Sequence, residues 1–306
     1  MIRKIASFFR RDIKMNNLKE YLEAVRSKRR IIILSTRACM YIAQLLSYML
    51  RTLGIKTKII RKEPIVGFGD EPYIVIAAQT YKRLPLNYIA VQVEQLESSK
   101  WFTDSYYQRL DEAVAIFDYS KKNIEYLYKY FKKKPIYFSP ITINPEYKKY
   151  TLNTQNTEKQ YDIVFYGSMD SDRRQHIIGL LAKKYKLKII NRLFGEELYK
   201  ELAKGKIVIN IHYYHNALLE TTRIFELLSL NYNIIISEKG IDQEEHTRLE
   251  ELVDFIDIGD IDEMVRKIDY YLLSDDIIHK KLENNRKIIS ELKENETLKL
   301  FRGMMV

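Results

Sequence analysis

The chain has 306 residues, 46% hydrophobic and 30% charged, enough apolar material for a sizeable core and a length that suggests about two domains. Cys39 is the only cysteine, which excludes an internal disulfide and any zinc site built on cysteines, and no apolar run approaches the ~18 residues of a membrane-spanning helix. The net charge of +10, from 51 Lys+Arg against 41 Asp+Glu, favours anionic ligands, nucleic acid or a membrane surface without choosing among them, since the basic residues fall in short scattered groups such as Arg26-Ser27-Lys28-Arg29-Arg30 and Lys132-Lys133-Lys134.

The first thirty residues are basic, with apolar residues at Ile2, Ile5, Phe8, Phe9 and Ile13 that helical spacing gathers on one side. A terminal helix docked on the core and an interfacial membrane helix both fit that pattern. The N-terminus lacks a signal-peptide apolar segment, so the expectation is a cytoplasmic protein, peripheral to a membrane where that helix meets lipid.

Regular alternation starts at Arg30. Ile31 to Ser35 reads as a buried strand, the stripe Ala38, Ile42, Leu45, Leu46, Met49 and Leu53 as a helix stopped by Gly54, and Lys56 to Ile60 as the next strand. This is a parallel crossover unit. Ser35-Thr36-Arg37 occupies the turn where a dinucleotide fold carries its glycines, so that fingerprint is absent. Further strands are predicted at Tyr73 to Ala78, Tyr88 to Val93 and Val114 to Phe117; Ser120 caps a helix through Phe131, and Ile136 to Phe138 is a strand. The loop Val93 to Trp101 leaves a strand's carboxyl end with Glu94, Glu97 and the only tryptophan, a placement that suits a substrate-facing loop as well as an ordinary acidic one.

Ser139 to Gln160, with two prolines and little apolar periodicity, reads as a linker and divides the chain into domains at 1–150 and 151–306. A second series follows it. Tyr161 to Tyr166 is a strand, Gly167 to Ser171 a tight polar turn, Asp172 to Tyr185 a helix, Leu187 to Ile190 a strand and Glu196 to Ala203 a helix. Ile207 to Ile211 is then a buried strand, His212 to Leu219 a polar aromatic loop, Glu220 to Leu230 a helix and Ile234 to Ser237 another buried strand. Val253 to Asp257 is the last strand, Ile261 to Leu273 a helix, and Asp275 to Leu300 a long polar helix. The expected fold class is α/β: two Rossmann-like doubly wound domains facing a central cleft, with the final helix crossing back.

The chemistry gathers in the second half. Glu220, Arg223 and Glu226 are spaced by three, so two carboxylates flank one guanidinium on a helix face, a pattern that serves a solvated salt-bridging face or a site. Gly167 and Ser168 precede a helix whose N-terminus attracts an anion, and Arg173 and Arg174 in its first turn oppose the helix dipole unless a diphosphate sits there. Asp170-Ser171-Asp172 suits helix capping, as do Asp257, Asp260 and Asp262 around a strand end.

Tyr166-Gly167-Ser168, Arg173-Arg174, Asn210-Ile211-His212 and the run Arg223 to Leu228 ahead of the Asn233 to Ser237 strand together resemble the donor-binding domain of GT-B glycosyltransferases, of the group 1 type in the spore-protein and viral or bacterial surface-glycan branch. The resemblance covers most of Tyr161 to Leu273. It implies a glycosyltransferase that uses a nucleotide-diphosphate sugar, UDP- or GDP-linked, to glycosylate a hydroxyl in glycan biosynthesis, with no metal required. Glu226 would bind the ribose hydroxyls, Gly167, Ser168 and Arg173 or Arg174 the diphosphate, and Arg223 the leaving group's charge. The retaining members carry a first glutamate eight residues before the ribose one; Leu218 stands there, with Glu220 displaced by two, so retention is in question. His212, His215 and Asn216 are placed to contact the donor, and the two histidines lack the carboxylate partner of a metal site. An inverting reaction needs a general base on the acceptor side, where Glu94, Glu97 and Asp104 are candidates and Glu94, nearest its strand, is preferred. The competing classes are a nucleic-acid-binding protein, a transferase that glycosylates modified DNA bases, and an inactive GT-B binding protein.

Overall fold

The apolar runs become two parallel sheets. The computed structural model describes residues 15, 17–97, 99–152, 157–291 and 296–305; the stripe from Ile2 to Ile13 lies outside them. Backbone contacts divide the chain into two units, Met1–Pro140 with Glu296–Val306, and Ile141–Asn295.

In the first unit β1 (Arg30–Leu34), β2 (Lys56–Ile60), β3 (Tyr73–Ile76), β4 (Tyr88–Gln92), β5 (Ala115–Asp118) and β6 (Ile136–Phe138) form one sheet in the order β2-β1-β3-β4-β5-β6, each neighbouring pair parallel. Strands β3, β4 and β5 are buried along their whole length, which is why they read as unbroken hydrophobic runs rather than alternating ones. Helices α1 (Leu18–Lys28), α2 (Met40–Thr52), α3 (Asp104–Glu112) and α4 (Lys121–Tyr130) belong to this unit with the terminal helix Glu296–Met305, whose Phe301 packs on Phe117 of β5. Gly54 follows α2 at φ +74, a left-handed conformation that favours glycine, so the stop anticipated from sequence has a conformational cause. Helix α3, capped by Thr103, falls in a stretch where sequence periodicity suggested none.

The second unit holds β7 (Tyr161–Tyr166), β8 (Leu187–Ile190), β9 (Gly205–Asn210), β10 (Ile234–Glu238) and β11 (Asp254–Ile256) in the order β11-β10-β9-β7-β8, again all parallel. Strand order reverses at β7 and β9, the place where open α/β sheets open a crevice beyond their carboxyl ends. Helices α5 (Lys148–Leu152), α6 (Asp172–Leu181), α7 (Glu196–Ala203), α8 (Thr221–Leu230), α9 (Ile261–Leu272) and α10 (Asp275–Glu291) complete it. The stretch read as a linker is ordered over 145–152: Tyr147 is fully buried and hydrogen-bonded to Tyr199, and Thr151 donates to the Leu230 carbonyl. The long polar helix expected from Asp275 to Leu300 is two described helices, one in each unit, with 292–295 outside the described residues. Among the described residues no helix is long and apolar enough to cross a membrane.

Candidate functional site

In the second unit the ends of β7, β9 and β10 converge. The turn after β7 is glycine because nothing else fits: Gly167 has φ +147, and a Cβ on it would stand 2.9 Å from Nη2 of Arg223. Arg223 lies on the first turns of α8 and is held from three sides. Its Nη1 donates to Oδ1 of Asn210 at the end of β9 (2.6 Å) and pairs with Oε2 of Glu220 (2.5 Å), and its guanidinium lies 5.0 Å above the Tyr166 ring. Nη2, over the Gly167 backbone, has no hydrogen-bond partner among the described residues.

Glu220 is not in the helix; it stands at the N-cap position of α8 with non-helical backbone angles. There it joins two arginines, since Nη2 of Arg174 also reaches its Oε1 at 2.8 Å. Burial by itself would raise this carboxyl, but Arg223, His212 and Arg174 together outweigh burial and bring it down to about 2. Arg174 is itself buried, which lowers it to about 10, and its other nitrogens donate to the carbonyls of Ile211 and Ser168. Arg173 turns to Glu238, the last residue of β10, in a two-pronged pair, and to the His212 carbonyl. Glu238 is fully buried and also accepts from the backbone N–H groups of His212 and Gly259.

Both arginines expected to carry phosphate are therefore committed to carboxylates and carbonyls within the unit. The helix cap expected at Asp170 or Ser171 is Ser171, whose Oγ accepts from the Arg174 N–H and donates to the Tyr213 carbonyl; Ser168 and Asp170 bond each other beside it. Asp260 caps α9 as its position suggested.

His212 is fully buried, and its Nε2 faces the Lys239 carbonyl at 3.1 Å. A carbonyl only accepts, so Nε2 bears the hydrogen. Nδ1 then points toward Glu220, 3.9 Å away, without a hydrogen-bond partner. The expected contact between this ring and a donor sugar gives way to a place behind Glu220. His215 and Asn216 are exposed on the loop.

Glu226 departs from the expected three-residue face. Instead of flanking Arg223 closely, it accepts from Tyr199 of α7 (2.9 Å) and from Tyr166 (3.4 Å), and Tyr199 is bonded in turn to Tyr147. Burial raises its carboxyl to about 7 against those hydrogen bonds. The sequence reading missed Glu238, Tyr199 and Tyr147; Glu238 had a visible signal, an acid directly after the buried run that ends at Ser237.

The first unit has its own carboxyl edge. Glu94, two residues past β4, is half-buried; its Oε1 accepts from Gln79 (2.7 Å) and its Oε2 from Ser99 (3.0 Å), and burial raises its pKa against both bonds. Behind it lies a network missing from the sequence reading. Asp118, fully buried at the end of β5, accepts from Gln92 (2.8 Å), from Asn123 (3.2 Å) and from the Ser120 N–H (2.9 Å), and burial raises it to about 7. Gln92 and Asn123 also donate to the Glu94 carbonyl, at 2.8 and 2.9 Å, so that network clamps the Glu94 backbone. Asp104 begins α3, and Glu97 is exposed.

No family model matches the chain. An uncharacterized protein of Acanthamoeba polyphaga mimivirus is 29% identical over 141 residues, 43% of this chain and 18% of that protein's length. Among solved structures, T4 phage BGT in complex with UDP and Mn2+ matches with a TM-score of 0.58 at 12% identity, over 90% of this chain and 99% of that one. An alpha-glucosyltransferase in complex with UDP-glucose and DNA containing an abasic site matches with a TM-score of 0.57 at 9% identity, over 90% and 99%. Sucrose-phosphate synthase from Thermosynechococcus elongatus matches with a TM-score of 0.54 at 12% identity, over 90% and 97%. These likenesses show the fold, two parallel-sheet α/β domains of the GT-B kind.

Proposed function

We propose that the chain is a glycosyltransferase that moves a sugar from a nucleotide-diphosphate sugar, UDP- or GDP-linked, to an acceptor hydroxyl. The observation that carries this reading is the Arg223 guanidinium, fixed by Asn210, Glu220 and Tyr166 so that Nη2 is left over the Gly167 turn beside the N-terminus of α6. A diphosphate seated on that turn would meet a fixed cation and the N–H groups of a helix start.

In the transfer, the bond between the anomeric carbon and the diphosphate oxygen breaks as the acceptor oxygen bonds to that carbon. Negative charge grows on the departing diphosphate, and Arg223 with the start of α6 stabilises it without reorganising, the largest contribution such a site makes. Gly167 and Ser168 let the backbone approach the phosphates. Arg173 and Arg174 act as positioning residues, because their nitrogens are already spent on Glu238, Glu220 and backbone carbonyls. Glu220 orients Arg223, and His212 backs Glu220. Glu226, set by Tyr199 and Tyr166, accepts from the ribose hydroxyls, and His215 and Asn216 reach the sugar from the loop. On the first unit, Glu94 takes the proton of the acceptor hydroxyl; burial raises its carboxyl above its ordinary value, which makes it a stronger base.

Thermal unfolding against UDP-, GDP-, ADP-, CMP- and dTDP-linked sugars, with and without Mn2+, tests the reading. A donor at about 100 times its Kd stabilises by ~2.7 kcal/mol, and Glu226→Ala should abolish that response. The Mn2+ arm tests metal independence: a shift that requires Mn2+ removes it. If no nucleotide sugar shifts the midpoint in either arm, the transferase reading falls.

A further inference from the structure

The positive charge that looks scattered along the sequence is segregated in the fold. Residues 1–140 and 296–306 hold 28 Lys+Arg against 14 Asp+Glu, a net +14, whereas residues 141–295 hold 23 against 27, a net −4. The whole positive excess of the chain belongs to the first unit. A net charge of that size raises the local concentration of anionic partners.

Part of that excess lies on one face. Lys129, Lys132 and Lys133, on α4 and the turn after it, are exposed, and none has a carboxylate within salt-bridge reach among the described residues. Lys134, by contrast, is tied to Asp111 and the Ala113 carbonyl. Beside them stands an aromatic ring that water reaches: Tyr130 is 47% exposed. The loop that begins at Glu94 joins the same surface, because Phe102 meets the rings of Tyr126 and Tyr130 edge-on at 5.9 and 6.4 Å, and its neighbour Trp101 is 55% exposed with Lys100 over the indole at 5.7 Å. The aliphatic side chains of α4 turn inward, Leu127 fully and Ile124 in part. The face thus offers ring planes and cations, not the aliphatic stripe that an interfacial helix buries in lipid. Flat rings interleaved with lysines are what a strand with unstacked bases and regularly spaced phosphates requires.

We infer that this face of the first unit binds single-stranded nucleic acid, with bases stacked on Trp101 and Tyr130 and phosphates on Lys129, Lys132 and Lys133, and that the acceptor hydroxyl is carried on that strand. The binding stands by itself; the acceptor's identity rests on the transferase reading above.

The test is fluorescence anisotropy of the full-length chain with a labelled mixed-sequence single-stranded 20-mer at low salt, repeated across a salt series, with the matching duplex and with phosphatidylserine–phosphatidylcholine vesicles as competitors. The single strand should bind, and Lys129→Gln/Lys132→Gln/Lys133→Gln together should weaken it at least tenfold and reduce the slope of log K against log salt by about 2, at ~0.7 per phosphate contact. Trp101→Ala, an exposed position, should cost at least about fivefold, the low end for one lost base stack. Absence of binding to the single strand, undiminished binding by the triple variant, tighter binding to duplex, or displacement by vesicles but not by unlabelled strand would each overturn the inference. The nucleotide-sugar response through Glu226 is read in a separate melt. Strand binding without that response leaves the nucleic-acid surface standing and the transferase reading fallen; the response without strand binding does the reverse.

Discussion

Each unit gathers acids at the carboxyl edge of its own sheet, and the electrostatics of the two edges are opposite. At the carboxyl edge of the second, buried acids face guanidinium groups: Glu238 faces Arg173, and Glu220 faces both Arg174 and Arg223. At the carboxyl edge of the first, Glu94 and Asp118 face amides, hydroxyls and a backbone N–H. Burial pushes the Glu220, Glu94 and Asp118 carboxyls upward; the presence or absence of arginine decides the sign, so Glu220 falls to about 2 while Asp118 rises to about 7. An edge preset with held cations receives an anion, and an edge of uncompensated acids accepts a proton. Under the proposed transferase reading, those partners suit the second unit to the donor and the first to the acceptor.

The largest effect this contrast predicts is at Glu238. Glu238→Ala would strand the Arg173 guanidinium and the N–H groups of His212 and Gly259, all of which it now satisfies. Removing one side of a buried pair costs about 3–5 kcal/mol, which urea unfolding should register. A cost below about 1 kcal/mol would mean that water already shares the pair, and the picture of a cation-preset edge would break.

Opposite pKa shifts give opposite pH limbs. The folded-state pKa of Asp118 lies above its unfolded value, so its contribution is present below about pH 4 and is lost as pH rises through about 7, roughly 4 kcal/mol at full amplitude. Asp118→Asn should flatten that fall. Trp101 is the only tryptophan and belongs to the first unit, so its fluorescence reports the relevant transition. Glu220 runs the other way: its contribution is present above about pH 4.5 and is lost as pH falls through about 2, roughly 3 kcal/mol, and Glu220→Gln should flatten the acid limb. Limbs of the same sign in both variants would erase the distinction between the two edges.

Much of this fold was legible in the residues. Parallel strands buried on both faces announce themselves as runs such as Tyr73 to Ala78 and Ile234 to Ser237, and Gly54 and Ser120 mark a helix stop and start by local chemistry alone. Helix α3 escaped because Tyr106 and Leu110 are its only buried side chains, too few for a stripe. At the candidate site, helical spacing and a strand-end turn single out Gly167, Glu220, Arg223 and Glu226, and the structure gathers Glu220 and Arg223 at the Gly167 turn. Which partner each would choose was not legible, because Glu220 reaches Arg174 across 46 positions and Glu226 reaches Tyr199 across 27, and pairings of that kind belong to tertiary structure. The charge asymmetry, by contrast, was open to a count at the boundary read from sequence, since residues 1–150 hold 28 Lys+Arg against 14 Asp+Glu and residues 151–306 hold 23 against 27; the short scattered groups concealed it.

The smallest predicted effects sharpen the comparison most. Ser120 and Ser171 cap α4 and α6 in the same way, each hydroxyl accepting from the N–H three residues on, so Ser120→Ala and Ser171→Ala should each cost ~1 kcal/mol in unfolding. Their functional consequences should differ. Ser171 also donates to the Tyr213 carbonyl, on the loop that follows β9, and its helix starts the proposed anion cradle, so on that reading its loss should weaken nucleotide-sugar binding several-fold. Ser120 sits against Asp118, whose Oδ1 its N–H meets, so its loss should leave nucleotide-sugar affinity unchanged. Equal melts with divergent nucleotide titrations would assign the donor to the second unit alone. If both variants bind nucleotide sugar as well as the parent chain does, the α6 start is only a helix cap, and the phosphate must be sought on Arg223 without it.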